Sequence, residues 1–325
     1  MKAIVYTQYG PPEVLKLKEI DKPVPKDKEV LIKLKAVEVT KSDCEMRAFK
    51  FPVNWFWLPL RIALGVFKPK RPVLGSYFAG EVVAKGKEVT RYQLGEQIFG
   101  CGGLRLGAYG EYMCLPERYT MVTKPSNMSF EEAAAVPLGG LNALHFMRRA
   151  DIKPGEKVLV NGAGGSIGIF GVQIAKFMGA EVTAVDSGIK EEMLRATGAD
   201  HFVNYQQQDI AQLPEKYNVI LDMVASSSYK GCMGLLEPEG RYLLGNPRLS
   251  DMLRSSWTSK FTDKNVIFAF ARETEEELLA LKEMIEAGQI RAVVDKIYTM
   301  DQAPEAHHRV ETEQRLGSIV ISIDD

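Results

Sequence analysis

Residues 160–168 read VNGAGGSIG, a glycine-rich elbow behind the apolar run IKPGEKVLV and ahead of SIGIFGVQIAKFMGA. The first run has the look of a turn followed by a buried strand, and the second places Ile167, Phe170, Ile174 and Met178 at helical spacing with Gly179 as a C-cap. EVTAVD then supplies a second apolar strand ending in Asp186. Strand, glycine elbow, helix and strand together constrain the chain to a βαβ unit of a parallel sheet. The glycines follow GxxGxxG at Gly162, Gly165 and Gly168; the strict GxGxxG pattern fails because Ile167 stands at its sixth position. Glycine there allows a tight turn, close approach of backbone to an anion and close packing of helix on strand, and the helix N-terminus offers unpaired N–H groups. Gly162, Gly164, Gly165, Ser166, Ile167 and Gly168 are therefore the expected cradle for the pyrophosphate of a dinucleotide.

With 325 residues the chain is long enough for two domains. Up to about residue 120 it shows short strands broken by Gly and Pro (KAIVY, EVLIKLKAVEV, AGEVVAKG, EQIFG, GEYMCL), a mainly β domain. From about 125 helices alternate with the apolar strands KVLVN, EVTAVD, HFVNY, NVILDMVA and RYLLG, the pattern of a doubly wound parallel sheet. TEEELLALKEMIEAG begins with the capping pair Thr274 and Glu277, and VVDKIYTM and SIVISI beyond it read as strands returning to the first domain. The boundaries expected are 1–124 with 272–325, and 125–271. Forty-one basic against forty-two acidic side chains, without a basic track, argue against a nucleic-acid partner. Cys44, Cys101, Cys114 and Cys232 lie far apart without a CxxC, which fits a reducing cytoplasm and argues against a disulfide framework and a cysteine-rich zinc knot. The opening MKAIVYTQYGPPEVL alternates like a strand and has no signal-peptide core. FPVNWFWLPLRIALGVF, residues 51–67, is the most apolar stretch, but Pro52, Asn54, Pro59 and Arg61 interrupt it, so no transmembrane segment is expected. It reads as a cover over the core, with a substrate wall (Trp55, Trp57) or a contact with membrane or partner as the alternatives.

KPGEKVLVNGAGGSIGIFGVQIAKFMGAEV, with EEAAAVPLGGLNAL before it and TGADHFVNY after it, resembles the medium-chain dehydrogenase/reductase superfamily, on its zinc-free, quinone-oxidoreductase-like branch. MKAIVYTQYGPPEVL, RPVLGSYFAGEVVAKG, GAYGEYMCLPE and AHHRVETEQRLGSIVI extend the resemblance over nearly the whole chain. It implies an α/β fold: a GroES-like, mainly β catalytic domain and a Rossmann domain, with the active site in the cleft between them. It also implies that Thr40, Asn142, Tyr205, Val224 and Gly245 lie along the dinucleotide, and that the protein is a homodimer.

Zinc enzymes of the superfamily use a cysteine early in the chain, a histidine in GHE and a cysteine ahead of the cofactor domain. The matching positions here are Thr40, Ser76 and Gly139, which offer no zinc donor set, and no four-cysteine structural site exists. His145 and His201 fall on expected core elements, and the neighbours His307 and His308 read as structural or surface residues. Without a Lewis acid, an acceptor that delocalises charge itself is the better substrate, which points to reduction of quinones or α,β-unsaturated carbonyls. Thr40 and Asp43 in VTKSD match the segment near the nicotinamide in relatives, with a purely structural role for Asp43 equally open. Where several relatives carry a tyrosine two residues on, this chain has Glu45, leaving Tyr77 and Tyr109 as alternative hydroxyl donors, or as packed aromatics. A zinc-free dehydrogenase of another hydrophobic alcohol or carbonyl, and a low-turnover dinucleotide-binding structural or regulatory protein, are the competing readings. Asp186, at the ribose-facing strand end, favours NAD(H) over NADP(H). Ser187 and Lys190 point the other way by resembling the phosphate-binding pair of NADP-dependent relatives, but Lys190 is expected to swing into solvent. NVIFAFA, residues 265–271, is an apolar sheet edge suited to the dimer contact.

Overall fold

The computed structural model describes residues 1–51, 57–268 and 272–323. Unit one comprises Met1–Leu138, Glu273–Glu286 and Ala292–Asp325; unit two comprises Gly139–Arg272 and Ala287–Arg291. Unit one begins with strands Lys2–Val5 (β1), Lys16–Glu19 (β2), Glu29–Val39 (β3), Tyr77–Lys85 (β4), Gln97–Cys101 (β5), Tyr112–Pro116 (β6) and Met121–Thr123 (β7), and helices Lys41–Ala48 (α1), Trp57–Leu64 (α2) and Phe130–Ala134 (α3). Alternation shows only in the middle of β3, where Ile32 and Leu34 are fully buried and Lys33 and Lys35 half-buried; towards its ends Leu31, Val37 and Val39 bury the lysine face as well. The capping box of Ser129 and Glu132 starts α3, which packs on β3, β4 and β5. That packing keeps the chain in unit one as far as Leu138, beyond the change of pattern at about residue 125.

The crossing falls inside helix Pro137–Ala150 (α4). Unit two then alternates strand and helix: Lys157–Asn161 (β8), Ser166–Phe177 (α5), Glu181–Asp186 (β9), Glu191–Ala196 (α6), His201–Asn204 (β10), Tyr217–Asp222 (β11), Tyr229–Gly234 (α7), Leu236–Leu244 (β12), Leu249–Phe261 (α8) and Asn265–Phe268 (β13). The strands form one parallel sheet in the order β10-β9-β8-β11-β12-β13, the doubly wound Rossmann order. Val158, Leu159 and Val160 of β8 are fully buried, as a central strand covered on both faces requires. The order in which successive strands are added reverses between β8 and β11, so this topology places its ligand crevice beyond the carboxyl ends of those two parallel strands, at Asn161 and Asp222.

Helix Glu275–Glu286 (α9), strand Val294–Tyr298 (β14), helix Ala303–Glu311 (α10) and strand Ser318–Ser322 (β15) complete unit one. Thr274 caps α9, its hydroxyl accepting the N–H of Glu277 at 3.3 Å. The second sheet runs β14-β15-β3-β4-β5-β7 with β6 on β3; β14 and β15 are parallel and the other pairings antiparallel. Its core gathers Ile4, Leu34, Phe78, Ile98, Leu115 and Ile321. Residues 269–271 of the apolar edge run, and Trp55, lie outside the described residues.

Candidate cofactor site and active site

The glycine loop is hung from its neighbouring strand: the N–H groups of Gly162 and Ala163 both reach the carbonyl of Val185 at 3.1 Å. Gly162 has φ +79°, a left-handed conformation that favours glycine. A Cβ on Gly168 would stand 2.3 Å from the Gly162 carbonyl oxygen, so only glycine lets α5 pack this closely. Gly165 is the N-cap of α5 and has no side chain with which to satisfy the first-turn N–H groups. A Cβ there would meet nothing nearer than 3.5 Å, so the space over the helix end is open to an anion. Ser166 and Gly168 are buried and Ile167 half-buried in that first turn.

Asp186, at the end of β9, is buried. Its Oδ2 accepts the Gly164 N–H at 2.8 Å, and its Oδ1 accepts the Ser187 N–H at 2.8 Å. Lys190 does not swing into solvent: it is 3% exposed and places Nζ 3.1 Å from Asp186 Oδ1. The short turn Gly188–Lys190 folds its stem across Gly164, where an added Cβ would lie 2.3 Å from Lys190 Cδ. Tyr205, exposed in the turn just after the neighbouring strand β10, donates its N–H to the Asp186 carbonyl at 3.3 Å. Asp186, Ser187, Lys190, Tyr205 and Gly164 thus form one corner.

A residue missed in the sequence holds the switch point. Asp222, 2% exposed at the end of β11, accepts from Asn161 Nδ2 (2.9 Å), the Val224 N–H (3.0 Å), Tyr242 Oη (2.6 Å) and Ser227 Oγ. The Gly245 N–H meets its carbonyl at 2.9 Å. Val224 is thereby fixed beside Gly162, whose added Cβ would touch it at 3.1 Å, while Gly245 packs on Met223, 2.3 Å from its sulfur to an added Cβ. The signal was present: NVILD ends in an acid, as EVTAVD does. Asn142 is half-buried on α4.

In unit one, Thr40 and Asp43 are both buried and bind each other as a capping box for α1. Thr40 Oγ1 donates to Asp43 Oδ2 at 2.6 Å and accepts the Asp43 N–H at 3.1 Å, while Asp43 Oδ1 takes the Gly75 N–H at 3.1 Å. Burial raises the Asp43 pKa and the Thr40 and Gly75 bonds oppose it. Tyr109 is fully buried with its hydroxyl 2.9 Å from His307 Nε2, in a network continuing to Cys44, Arg47 and Glu311. Tyr77 is half-buried and donates to Glu273 Oε1 at 2.8 Å; burial, then the Glu273 charge, keeps its phenol protonated. Tyr77 and Tyr109 therefore belong to separate networks.

With the geometry in place, comparison with known proteins is specific. The alcohol dehydrogenase GroES-like domain model matches residues 26–126, and the zinc-binding dehydrogenase model matches residues 197–321. A quinone oxidoreductase of Pseudomonas aeruginosa is 28% identical, covering 98% of this chain and 99% of its own. The 2-methylene-furan-3-one reductase of Solanum lycopersicum is 29% identical over 99% of this chain and 79% of its own. The solved quinone oxidoreductase of Coxiella burnetii superposes with a TM-score of 0.88 at 26% identity, covering 100% of this chain and 99% of that one. The chain belongs to the medium-chain dehydrogenase/reductase superfamily. It sits on the quinone-oxidoreductase-like side of it.

For a member of this superfamily the positions that carry zinc ligands elsewhere decide which chemistry the chain's own residues fit. Thr40 Oγ1 is engaged with Asp43, Ser76 Oγ donates to the Gly103 carbonyl at 2.8 Å, and a Cβ on Gly139 would stand 2.3 Å from the Ser166 carbonyl oxygen. Two engaged hydroxyls and a glycine do not make a zinc donor set. Among the described residues no group of three or more His, Cys, Asp or Glu is placed to hold a metal ion. Of the histidines, His307 is buried and His308 exposed; His201, expected in the core, is exposed on the edge strand β10, 2.7 Å from Glu181.

Proposed function

We propose that the protein reduces quinones or α,β-unsaturated carbonyls at the expense of a reduced nicotinamide dinucleotide, without zinc. The observation that carries the reading is the open, side-chain-free N-terminus of α5 over the glycine loop, with Asp186 closing one corner. When bound, the dinucleotide supplies the hydride. The first turn of α5 would hold its pyrophosphate, and Asp222 would keep Val224 against the loop. Asp186 favours NAD(H), because Lys190 already pairs with it and would have to break a buried ion pair to meet a 2′-phosphate. Thr40 and Asp43 fix the start of α1, and Tyr77, half-buried and protonated, is the hydroxyl we assign to polarising the acceptor carbonyl, for which it would turn its O–H from Glu273.

The test is steady-state oxidation of NADH and NADPH with a panel of quinones, enones and saturated ketones, with and without a chelator. Turnover of quinones or enones, unchanged by chelator, with saturated ketones inert, is the expected result. A chelator-sensitive alcohol dehydrogenase activity, or tight dinucleotide binding without turnover of any acceptor, would replace this reading by one of its competitors.

A further inference from the structure

From Met46 to Gly80 the chain carries six cations, Arg47, Lys50, Arg61, Lys68, Lys70 and Arg71, and not one carboxylate. Helix α2 lies in the middle of this stretch and seats its inner side on aromatic rings: the Arg61 guanidinium is 4.3 Å from the Tyr9 ring centroid and 4.2 Å from that of Phe49. Tyr9 Oη also donates to the Gly65 carbonyl at 2.9 Å. The outer side is apolar. Leu58 and Ile62, one turn apart, are 61% and 56% exposed, and just beyond the helix Val66 is 46% and Phe67 93% exposed.

Cations are tied into the same surface. Lys70 Nζ donates to the Ile62 carbonyl at 2.7 Å, and the Arg71 guanidinium donates to the carbonyl of Leu104, itself 83% exposed. Lys70, Arg71, Leu104 and Arg105 line a groove of about 540 Å³ in which no carboxylate takes part; Arg105 reaches away to Glu29 at 2.6 Å. Lys68 is exposed beside Phe67. Among the described residues no helix is long and apolar enough to cross a membrane, so this face suits adsorption and not insertion.

We propose that this face docks on an anionic phospholipid surface, with Leu58, Ile62 and Phe67 entering the headgroup–acyl boundary and Lys68, Lys70 and Arg71 meeting phosphates. Charge decides against a second copy of the chain as the occupant: self-docking would set the cation cluster against its own image, with no carboxylate between residues 46 and 80 or among the described residues lining the groove to offset it. The proposal is independent of the reaction assigned above.

Co-sedimentation of the full chain with vesicles tests it, comparing phosphatidylcholine alone with an equal mixture of phosphatidylcholine and phosphatidylglycerol. Three surface cations predict about a hundredfold stronger binding to the mixed vesicles at low salt, released as the Debye length shrinks. Ile62→Ser with Phe67→Ser should abolish binding while leaving molecular mass and near-UV circular dichroism unchanged. Lys68→Glu with Lys70→Glu should remove the preference for the anionic lipid, and decides the matter if the first pair fails to fold. Absence of binding to mixed vesicles, equal binding to both compositions, or retained binding by the folded serine variant overturns the proposal. So does a fall in mass of the serine variant by light scattering, which would assign the face to self-association.

Discussion

Asp186 and Lys190 show how a single pair can carry opposite meanings in sequence and in structure. An acid closing an apolar strand beyond a glycine loop is legible by itself, because strand end and loop are both written in the pattern. That the lysine four residues on folds back was not legible, since it depends on the space that Gly164 leaves for the lysine stem. Asp186→Ser should free the Lys190 ammonium and shift preference toward NADPH by about tenfold, one charge-assisted contact. Lys190→Ala should weaken NADH binding as well, by leaving a buried carboxylate uncompensated beside Gly164. Dissociation constants for the two dinucleotides check both; an Asp186→Ser variant that still prefers NADH would show that the pair does not read the ribose. Glu45, which departs from the tyrosine expected there from several relatives, gives a pH prediction. Burial, opposed by Lys41 and reinforced by Glu313, raises its pKa to about 7. A carboxyl with a raised folded pKa lends its stability below the unfolded value and loses it as pH rises toward 7. Glu45→Gln should therefore match wild type near pH 4 and exceed it at pH 8 by about 1 kcal/mol after solvent screening, read from urea midpoints.

At the scale of elements, α5 and its loop were readable almost to the residue, because glycine spacing, helical periodicity and the following strand agree with one another. The start of α1 is readable in part: VTKSD offers Thr40 and Asp43 as site residues with a structural role for Asp43 equally open, and in the structure the two form a capping box that sets the helix in place, a role the T-x-x-D spacing carries in plain view. The network joining α1 to α10 through Cys44, Arg47, His307 and Glu311 is invisible in sequence, since its partners lie far apart along the chain. The two glycines of the α5 turn separate folding from binding. In Gly168→Ala the new Cβ meets backbone on which α5 packs, so the melting temperature should fall by several degrees, as for a loss of about 2 kcal/mol. Gly165→Ala has room and an ordinary φ of −84°, so its melting temperature should fall less than that of Gly168→Ala, by no more than the cost of alanine at an N-cap. Its methyl group occupies the anion's place, and the stabilisation that added dinucleotide gives should shrink. Thermal melts with and without NADH check both. Undiminished ligand stabilisation in Gly165→Ala would move the pyrophosphate away from this turn.

For the whole molecule, alternation of apolar strands with helices was enough to specify a parallel doubly wound sheet, since right-handed crossovers leave few strand orders available. What periodicity alone left open was where each segment packs, which is why α3 stays with the first unit although the helical pattern has already begun. The sheet also leaves one strand with work undone. Among the described residues β13 pairs with β12 alone, its far edge borders a groove lined by Arg149 and Asn265–Phe268, and Ile267 and Phe268 are only half-buried. An apolar edge in register with nothing is a template for another chain. A two-fold axis beside β13 would bring its copy alongside antiparallel, satisfying both edges at once with one self-complementary surface. We therefore expect a homodimer of twice 36.2 kDa by light scattering at micromolar concentration. Ile267→Lys should place a charge in that contact and return the particle to a folded monomer, whereas the Ile62→Ser, Phe67→Ser variant in the other unit should leave the dimer intact. Wild-type protein that scatters as a monomer at this concentration would leave the edge to be covered by residues of the chain itself.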